Sequence, residues 1–178
     1  NVLQQWGYDV LVGKTLGSRS KTYFSGTDEE RLNEFQAMLD APEIKAILCG
    51  RGGYGVGRII DQLDFTAFKK NPKWIIGFSD ITVFHHRLMK LGVKSIHGSM
   101  PLNFESNSTE ALDTMLEILG GGYPVITCNA NQSNKLGEAD GTLIGGNLSI
   151  VFSLLGTDDS LNFDGGILFL EDLAEQLY

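Results

Sequence analysis

Lys73-Trp74-Ile75-Ile76-Gly77-Phe78-Ser79-Asp80-Ile81-Thr82 is the stretch on which the fold turns. Its first half is an apolar run of strand length. Its second half opens a segment in which Ile81, Phe84 and Leu88 recur at helical spacing, stopped by Gly92. The same alternation repeats on both sides. Upstream, Thr27-Asp28-Glu29-Glu30 is a capping box for a helix carrying Leu32, Phe35, Met38 and Leu39. Ile44 to Cys49 reads as a buried strand, and Val56, Ile59, Ile60 and Leu63 give the face of a following helix. Downstream, Val93 to His97 is a strand, and Asn107 with Glu110 caps a helix striped by Leu112, Met115, Leu116 and Leu119 and ended by Gly120. Strands and helices alternating at this spacing predict an α/β fold, an open parallel sheet with flanking helices.

The pattern changes after Gly120. Tyr123 to Asn134 reads as a strand and a polar stretch with Asn129, Asn131, Gln132 and Asn134, an exposed connection. Gly141 to Gly146 then leads into a helix with Leu148, Val151, Phe152 and Leu155, stopped by Gly156, and Ile167 to Leu170 is a last strand ending in Glu171-Asp172. The expected layout is a flavodoxin-like or Rossmann-like α/β unit over 1–122, a linker over 123–140, and the beginning of a smaller C-terminal domain over 141–178. At the ends, Val2 to Tyr8 reads as the last turns of a helix stopped at Gly7, and Glu175-Gln176-Leu177-Tyr178 follows directly on a strand. With no initiating Met and no targeting signal, the expectation is a piece of a longer protein.

Composition narrows the function classes. The chain of 178 residues is 42% hydrophobic, enough for a core, and 22 acidic against 14 basic residues give a net charge of −8. No basic stripe is present to displace counterions, which argues against nucleic acid as a partner. No apolar run reaches the length of a membrane span. Two cysteines, Cys49 and Cys128, are too few for a disulfide framework or a zinc cage.

In open α/β sheets chemistry sits at the carboxyl ends of the strands. Here those ends carry Gly50-Arg51-Gly52-Gly53-Tyr54-Gly55, Ser79-Asp80 and His97-Gly98. The glycine loop has three readings. It matches the dinucleotide fingerprint in outline, with pyrophosphate on a helix N-terminus. Its N–H groups can instead converge as an oxyanion hole, or it is a tight turn without chemistry. Ser79 on a strand-to-helix turn is in outline a nucleophile elbow, although Ile81 stands where the usual pattern has a second Gly; a plain N-cap is the other reading. For a base, His85 and His86 lie along the helix after Ser79, while His97 ends a neighbouring strand and can approach the site. Cys49 reads as a small buried apolar residue, and three histidines without clustered partners argue against a metal site.

Arg51-Gly52-Gly53-Tyr54-Gly55, Gly77-Phe78-Ser79-Asp80-Ile81-Thr82, His97-Gly98-Ser99-Met100, Gly145-Gly146-Asn147-Leu148 and Leu170-Glu171-Asp172 occur in this order, after Glu29-Glu30-Arg31-Leu32 and Pro42-Glu43-Ile44-Lys45-Ala46-Ile47. The set resembles the LD-carboxypeptidases, serine peptidase family S66, which also contains microcin C self-immunity peptidases. The resemblance implies a two-domain, cytoplasmic, often dimeric hydrolase with no cofactor. Its Ser–Glu–His triad would cut the bond before a terminal D-alanine of a peptidoglycan tetrapeptide in wall recycling, or a related acyl amide of a peptidyl-nucleotide antibiotic. Ser79 then matches the nucleophile, the amides of Gly53 and Asp80 the oxyanion hole, Glu171 the triad acid, and Asn147 a cleft residue, with Arg51 and Tyr54 on the substrate side. The family's triad histidine lies beyond Leu-Glu-Asp, and its first strand precedes this sequence. From a different class, a non-catalytic nucleotide-binding α/β module remains an alternative. The hydrolase reading expects Ser79, Glu171 and the 50–55 loop to face one cleft.

Overall fold

A computed structural model describes residues 2–17 and 23–173. The readings made at Asn1 and at Glu175–Tyr178 lie outside the described residues. In chain order the main elements are α1 (Val2–Gln5), α2 (Asp28–Asp40), β1 (Ala46–Leu48), α3 (Thr66–Lys70), β2 (Trp74–Gly77), α4 (Thr82–Lys90), β3 (Ile96–His97), α5 (Thr109–Leu119), β4 (Thr142–Asn147), α6 (Leu148–Leu154) and β5 (Gly166–Glu171). The first three strands form one parallel sheet in the order β1-β2-β3, with Ile47 opposite Ile75 and Gly77 opposite His97. β4 and β5 form a second parallel pair joined through α6, with Asn147 opposite Glu171. The α/β class with parallel strands and flanking helices is therefore the observed one.

The predicted strand–helix transition at residues 73–88 is present and is the centre of the molecule. α4 packs against β2 and β3 and also against β4 and α6. That placement explains why six of its nine residues, Thr82, Val83, Phe84, His85, His86 and Leu88, are buried. Phe84 stacks on Phe35 of α2 with ring centroids 4.4 Å apart, and Phe68, Leu39, Ile75 and Leu88 fill the same core. The capping box starts α2 as its sequence dictates: Glu30 N–H donates to Thr27 Oγ1 at 3.1 Å, and Thr27 N–H donates to Glu30 Oε2 at 2.7 Å. From the side of α6, buried Asp159 accepts two hydrogen bonds from Arg87 of α4, at 2.5 and 2.9 Å.

Several local readings are corrected. Val56, Ile59, Ile60 and Leu63 are all buried, but on two 3₁₀ turns, Val56–Arg58 and Ile60–Gln62, rather than one α-helix. The N–H groups of Gly55 and Val56 are captured by the Asp80 carboxylate, which pins the start of the segment to another element. α5 is capped by Ser108, whose hydroxyl accepts from Ala111 N–H at 3.2 Å, while Asn107 donates to Ser99 Oγ instead. No strand forms over 123–134, because nothing pairs with it; the side chains of Tyr123, Val125 and Ile126 are exposed. Gly141–Gly146 does lead into a helix, and it does so as a strand: residues 142–147 are β4, followed directly by α6. A Cβ at Gly145 would sit 1.9 Å from the Phe169 carbonyl oxygen, so its glycine records close approach to β5 rather than a turn. In α6 the buried positions are Val151 and Leu154, and Leu148, Phe152 and Leu155 face outward.

Candidate active site

The elbow is defined by backbone geometry. Ser79 has φ +62°, the only non-glycine residue with positive φ among the described residues. It opens the 3₁₀ turn Ser79–Ile81, and no side-chain bond caps that turn or α4. The plain N-cap reading of Ser79 is thereby set aside. A serine in this region costs about 1–3 kcal/mol and persists only where its surroundings over-determine it. Three neighbours do so. The Asp80 carboxylate accepts from Gly55 N–H at 2.8 Å and Val56 N–H at 2.9 Å. Thr82 Oγ1 accepts from Asn147 N–H of β4 at 3.0 Å. The Gly77 carbonyl accepts from Gly98 N–H at 3.1 Å and bonds His85 Nε2 at 2.9 Å. Gly77 itself has no alternative: a Cβ there would lie 2.7 Å from Ile81 Cγ1.

The glycine loop reaches the elbow through Gly52, where a Cβ would lie 2.8 Å from Ser79 Cβ and 3.0 Å from Ser79 Oγ. Gly52 is a site residue that the sequence reading passed over in favour of its neighbour Gly53. Its signal was available, since two adjacent glycines in a βα turn suggest close backbone approach as well as tight turning. Gly53 follows with φ +155°, and Asp80 directly follows the serine in the 3₁₀ turn. The dinucleotide reading loses its donors here. The N–H groups of Gly55 and Val56, which would open a phosphate-binding helix, are occupied by the buried Asp80 carboxylate. Burial pushes the Asp80 pKa up, against those two donors and Arg31. Arg51 and Tyr54 point outward. Tyr54 stacks on Tyr23 at 5.0 Å, and the Arg51 guanidinium lies 5.8 Å from the Tyr23 ring centre.

A second group of residues gathers around a cavity that Phe78 also lines. Glu171, at the end of β5, accepts from Asn147 Nδ2 at 3.3 Å, and Asn147 Oδ1 caps α6 through Ile150 N–H at 3.3 Å. Glu171, Phe78, His97, Gly98, Ser99, Asn103 and Asn107 line a cavity of ≈ 250 Å³. Of the residues expected to share one cleft, only Glu171 lines this cavity; Ser79 and residues 50–55 do not. The cavity joins Glu171 to Phe78, the residue before Ser79, while Arg51 and Tyr54 lie away from it.

The histidines are mostly accounted for. His85 bonds Ser95 Oγ at 2.8 Å and the Gly77 carbonyl at 2.9 Å, and burial pushes its pKa down to about 4. His86 is anchored to the Asp159 carbonyl at 3.1 Å, and burial lowers its pKa. His97 packs edge-on to Phe169 at 5.0 Å; burial lowers its pKa and Glu171 opposes this. Its Nδ1 is buried without a hydrogen-bond partner. A triad base must bond the nucleophile through one nitrogen and the acid through the other, so His97 does not complete a Ser79–His97–Glu171 relay. Burial, then the charge of Asp80, pushes the Cys49 thiol up to about 12, which removes it as a nucleophile at neutral pH. Among the described residues no group of three His, Cys, Asp or Glu could hold a metal. No described helix is long and apolar enough to cross a membrane.

Known proteins place this geometry in a family. A family model described as the LD-carboxypeptidase N-terminal domain matches residues 1–98, and one described as the LD-carboxypeptidase C-terminal domain matches residues 140–178. The probable murein peptide carboxypeptidase of Bacillus subtilis is 34% identical over 187 residues, covering 99% of this chain and 57% of that protein. The microcin C7 self-immunity protein MccF of Escherichia coli is 28% identical over 210 residues, covering 98% of this chain and 60% of that protein. The crystal structure of a muramoyltetrapeptide carboxypeptidase from Oxalobacter formigenes matches with a TM-score of 0.80 at 31% identity, over 98% of this chain and 59% of that one. The chain thus spans well under two thirds of the length of these relatives. Because the N-terminal family model by itself covers more than half of the residues, the protein belongs to the LD-carboxypeptidase family, peptidase family S66.

Proposed function

We propose that the full-length protein is a serine carboxypeptidase acting on murein tetrapeptide at the bond before its terminal D-alanine. The observation that carries this reading is the strained Ser79 elbow against Gly52. Ser79 Oγ attacks the scissile carbonyl carbon, and the carbonyl oxygen becomes an oxyanion. The N–H groups of Gly53 and Asp80 receive that charge, an effect worth about 3–4 kcal/mol per donor in comparable sites. An imidazole from outside the described residues takes the Ser79 proton and returns it to the D-alanine amine as the C–N bond breaks. Glu171, steadied by Asn147, orients that imidazole. Water then releases the acyl group by the reverse sequence. Support for the substrate comes from the names of the Bacillus and Oxalobacter relatives.

The same proposal assigns residues 1–122 to the nucleophile domain, 123–140 to a linker and 141–178 to the opening of a second domain, in a cytoplasmic homodimer. Arg51 and Tyr54 contact the substrate outside the reacting bond. A second reading within the family, hydrolysis of a peptidyl-nucleotide, is favoured by the MccF relative and by the exposed Tyr23–Tyr54 stack beside the glycine loop, a surface suited to a planar base. Ser79→Ala in the full-length protein tests the common mechanism. D-alanine release from tetrapeptide should fall by about 10⁶ with the fold intact; activity within about tenfold of wild type would remove Ser79 as nucleophile. Faster turnover of an aminoacyl-nucleotide than of the tetrapeptide would select the second reading.

A further inference from the structure

We infer that His85 is a positioning residue for the Ser79 nucleophile, holding the Gly77 carbonyl at the point where the chain leaves β2 for the elbow. The inference rests on the reading of Ser79 as nucleophile and adds to it a residue on the far side of the strand end.

The geometry fixes the chemistry of the imidazole. His85 Nε2 lies 2.9 Å from the Gly77 carbonyl oxygen. A carbonyl only accepts, so Nε2 carries the proton. The other nitrogen, Nδ1, lies 2.8 Å from Ser95 Oγ and accepts from that hydroxyl. Ser95 directly precedes β3, so the ring ties α4 to the end of β2 and the start of β3 at once. Burial keeps the ring neutral at physiological pH, with the charges of His97 and His86 acting in the same direction. It therefore stays in one tautomer with one donor aimed at one carbonyl.

The elbow needs that tie for a specific reason. Residue 77 must be glycine because Ile81 occupies the space of its Cβ. Glycine is also the most permissive residue in the chain, placed two positions before a serine held at φ +62°. Left free, rotation at Gly77 is the easiest route by which the strained serine relaxes. Two donors, Gly98 N–H at 3.1 Å and His85 Nε2–H, occupy both lone pairs of the Gly77 carbonyl and close that route. The hydrogen bond from His85 back to Gly77 encloses the whole turn between two rigid elements.

Three variants of the full-length protein test the inference. His85→Leu keeps an apolar side chain in the buried site and removes the donor. Its kcat for tetrapeptide is expected to fall by about 10- to 100-fold, the scale of a displacement of about 1 Å at a reacting group, with KM within about twofold. Labelling of Ser79 by a fluorophosphonate should slow in proportion, although that probe requires no peptide recognition. His85→Gln, whose Nε2–H reaches the same carbonyl, should restore most of the rate. Ser95→Ala, which frees the ring to rotate, should lose about fivefold, the value of one hydrogen bond. Wild-type kcat in His85→Leu, or equal losses in His85→Leu and His85→Gln, overturns the inference. If His85→Leu does not fold, Ser95→Ala decides, and an unchanged rate there overturns it. If the wild-type protein neither cleaves the tetrapeptide nor takes the label at Ser79, the proposed function fails separately. The positioning role is then read from the crystal structure of His85→Gln or Ser95→Ala: Ser79 kept at positive φ with Gly77 turned away from residue 85 overturns it, and Ser79 tracking the Gly77 carbonyl supports it.

Discussion

Replacing Gly52 by alanine tests the packing of the loop against Ser79, the proposed nucleophile, with a single methyl group. Gly52 lacks the positive φ that would strain an alanine backbone, so the substitution carries no conformational penalty of that kind. The added Cβ would lie 2.8 Å from Ser79 Cβ. Carbon pairs are comfortable at about 3.5–4.0 Å, so one side must retreat by roughly 0.7 Å or more. Turning the serine side chain moves Oγ but not Cβ, so no rotamer relieves the contact. The movement has to come from the loop, which carries the Gly53 N–H, or from the elbow, which carries Ser79. Overpacking of this kind costs about 1–3 kcal/mol of stability, a fall in Tm of about 2–12 °C for a protein of this size. The larger effect is kinetic. A displacement approaching 1 Å at the reacting atoms should reduce kcat by about 10- to 100-fold. D-alanine release from a murein tetrapeptide gives kcat and KM, and thermal unfolding of the same preparation gives Tm. A folded Gly52→Ala protein with kcat within about threefold of wild type would refute the claim that this loop abuts Ser79 in the working enzyme.

Other outcomes are expected. Gly53→Ala, whose Cβ would meet nothing closer than Tyr23 Cε1 at 3.9 Å, should lower kcat about 10²-fold and leave KM nearly unchanged, since the role proposed for its N–H is on charge that exists only in the transition state; a change confined to KM would mark ordinary ligand binding. The 178-residue chain by itself should release no D-alanine, because His85 and His86 are committed to other partners and His97 Nδ1 bonds neither Ser79 nor Glu171; release above the buffer rate would show an internal base. Stability should drop as pH falls from 6.5 towards 4. His85 is lowered from 6.5 to about 4, so within that interval the unfolded chain binds a proton that the folded one refuses, and at about 1.4 kcal/mol per pH unit the difference amounts to about 3 kcal/mol. His86 and His97 are lowered too and act in the same sense, whereas Asp80, raised by burial, acts in the opposite one. Tm measured across pH 4–7 should therefore rise with pH, with a smaller slope in His85→Gln; an equal slope in both proteins would show that His85 is not buried neutral.

Local pattern carried most of the fold. The apolar run at Trp74–Gly77, the helical spacing of Phe84 and Leu88, and the Thr27–Glu30 capping box each act over a few residues, and each appears where sequence placed it. Ser79-Asp80 and the glycine loop stood out by their place at strand ends, whereas Gly53, Asn147 and Glu171 were singled out only through the family resemblance. What sequence could not supply was the partner of each glycine and each polar group. Gly141 to Gly146 gave no sign of a strand, whereas Gly145 is required by the Phe169 carbonyl and Gly146 by Thr82, both distant in sequence. The choice between cap and elbow for Ser79 depended on one dihedral angle, and the choice between a phosphate site and an internal anchor for the glycine loop depended on where the Asp80 carboxylate points. Side-chain identity and spacing set which segments become strands and helices. Only tertiary packing decides which carbonyl, carboxylate or side chain arrives at a given backbone group, because those partners come from elements that sequence spacing does not relate.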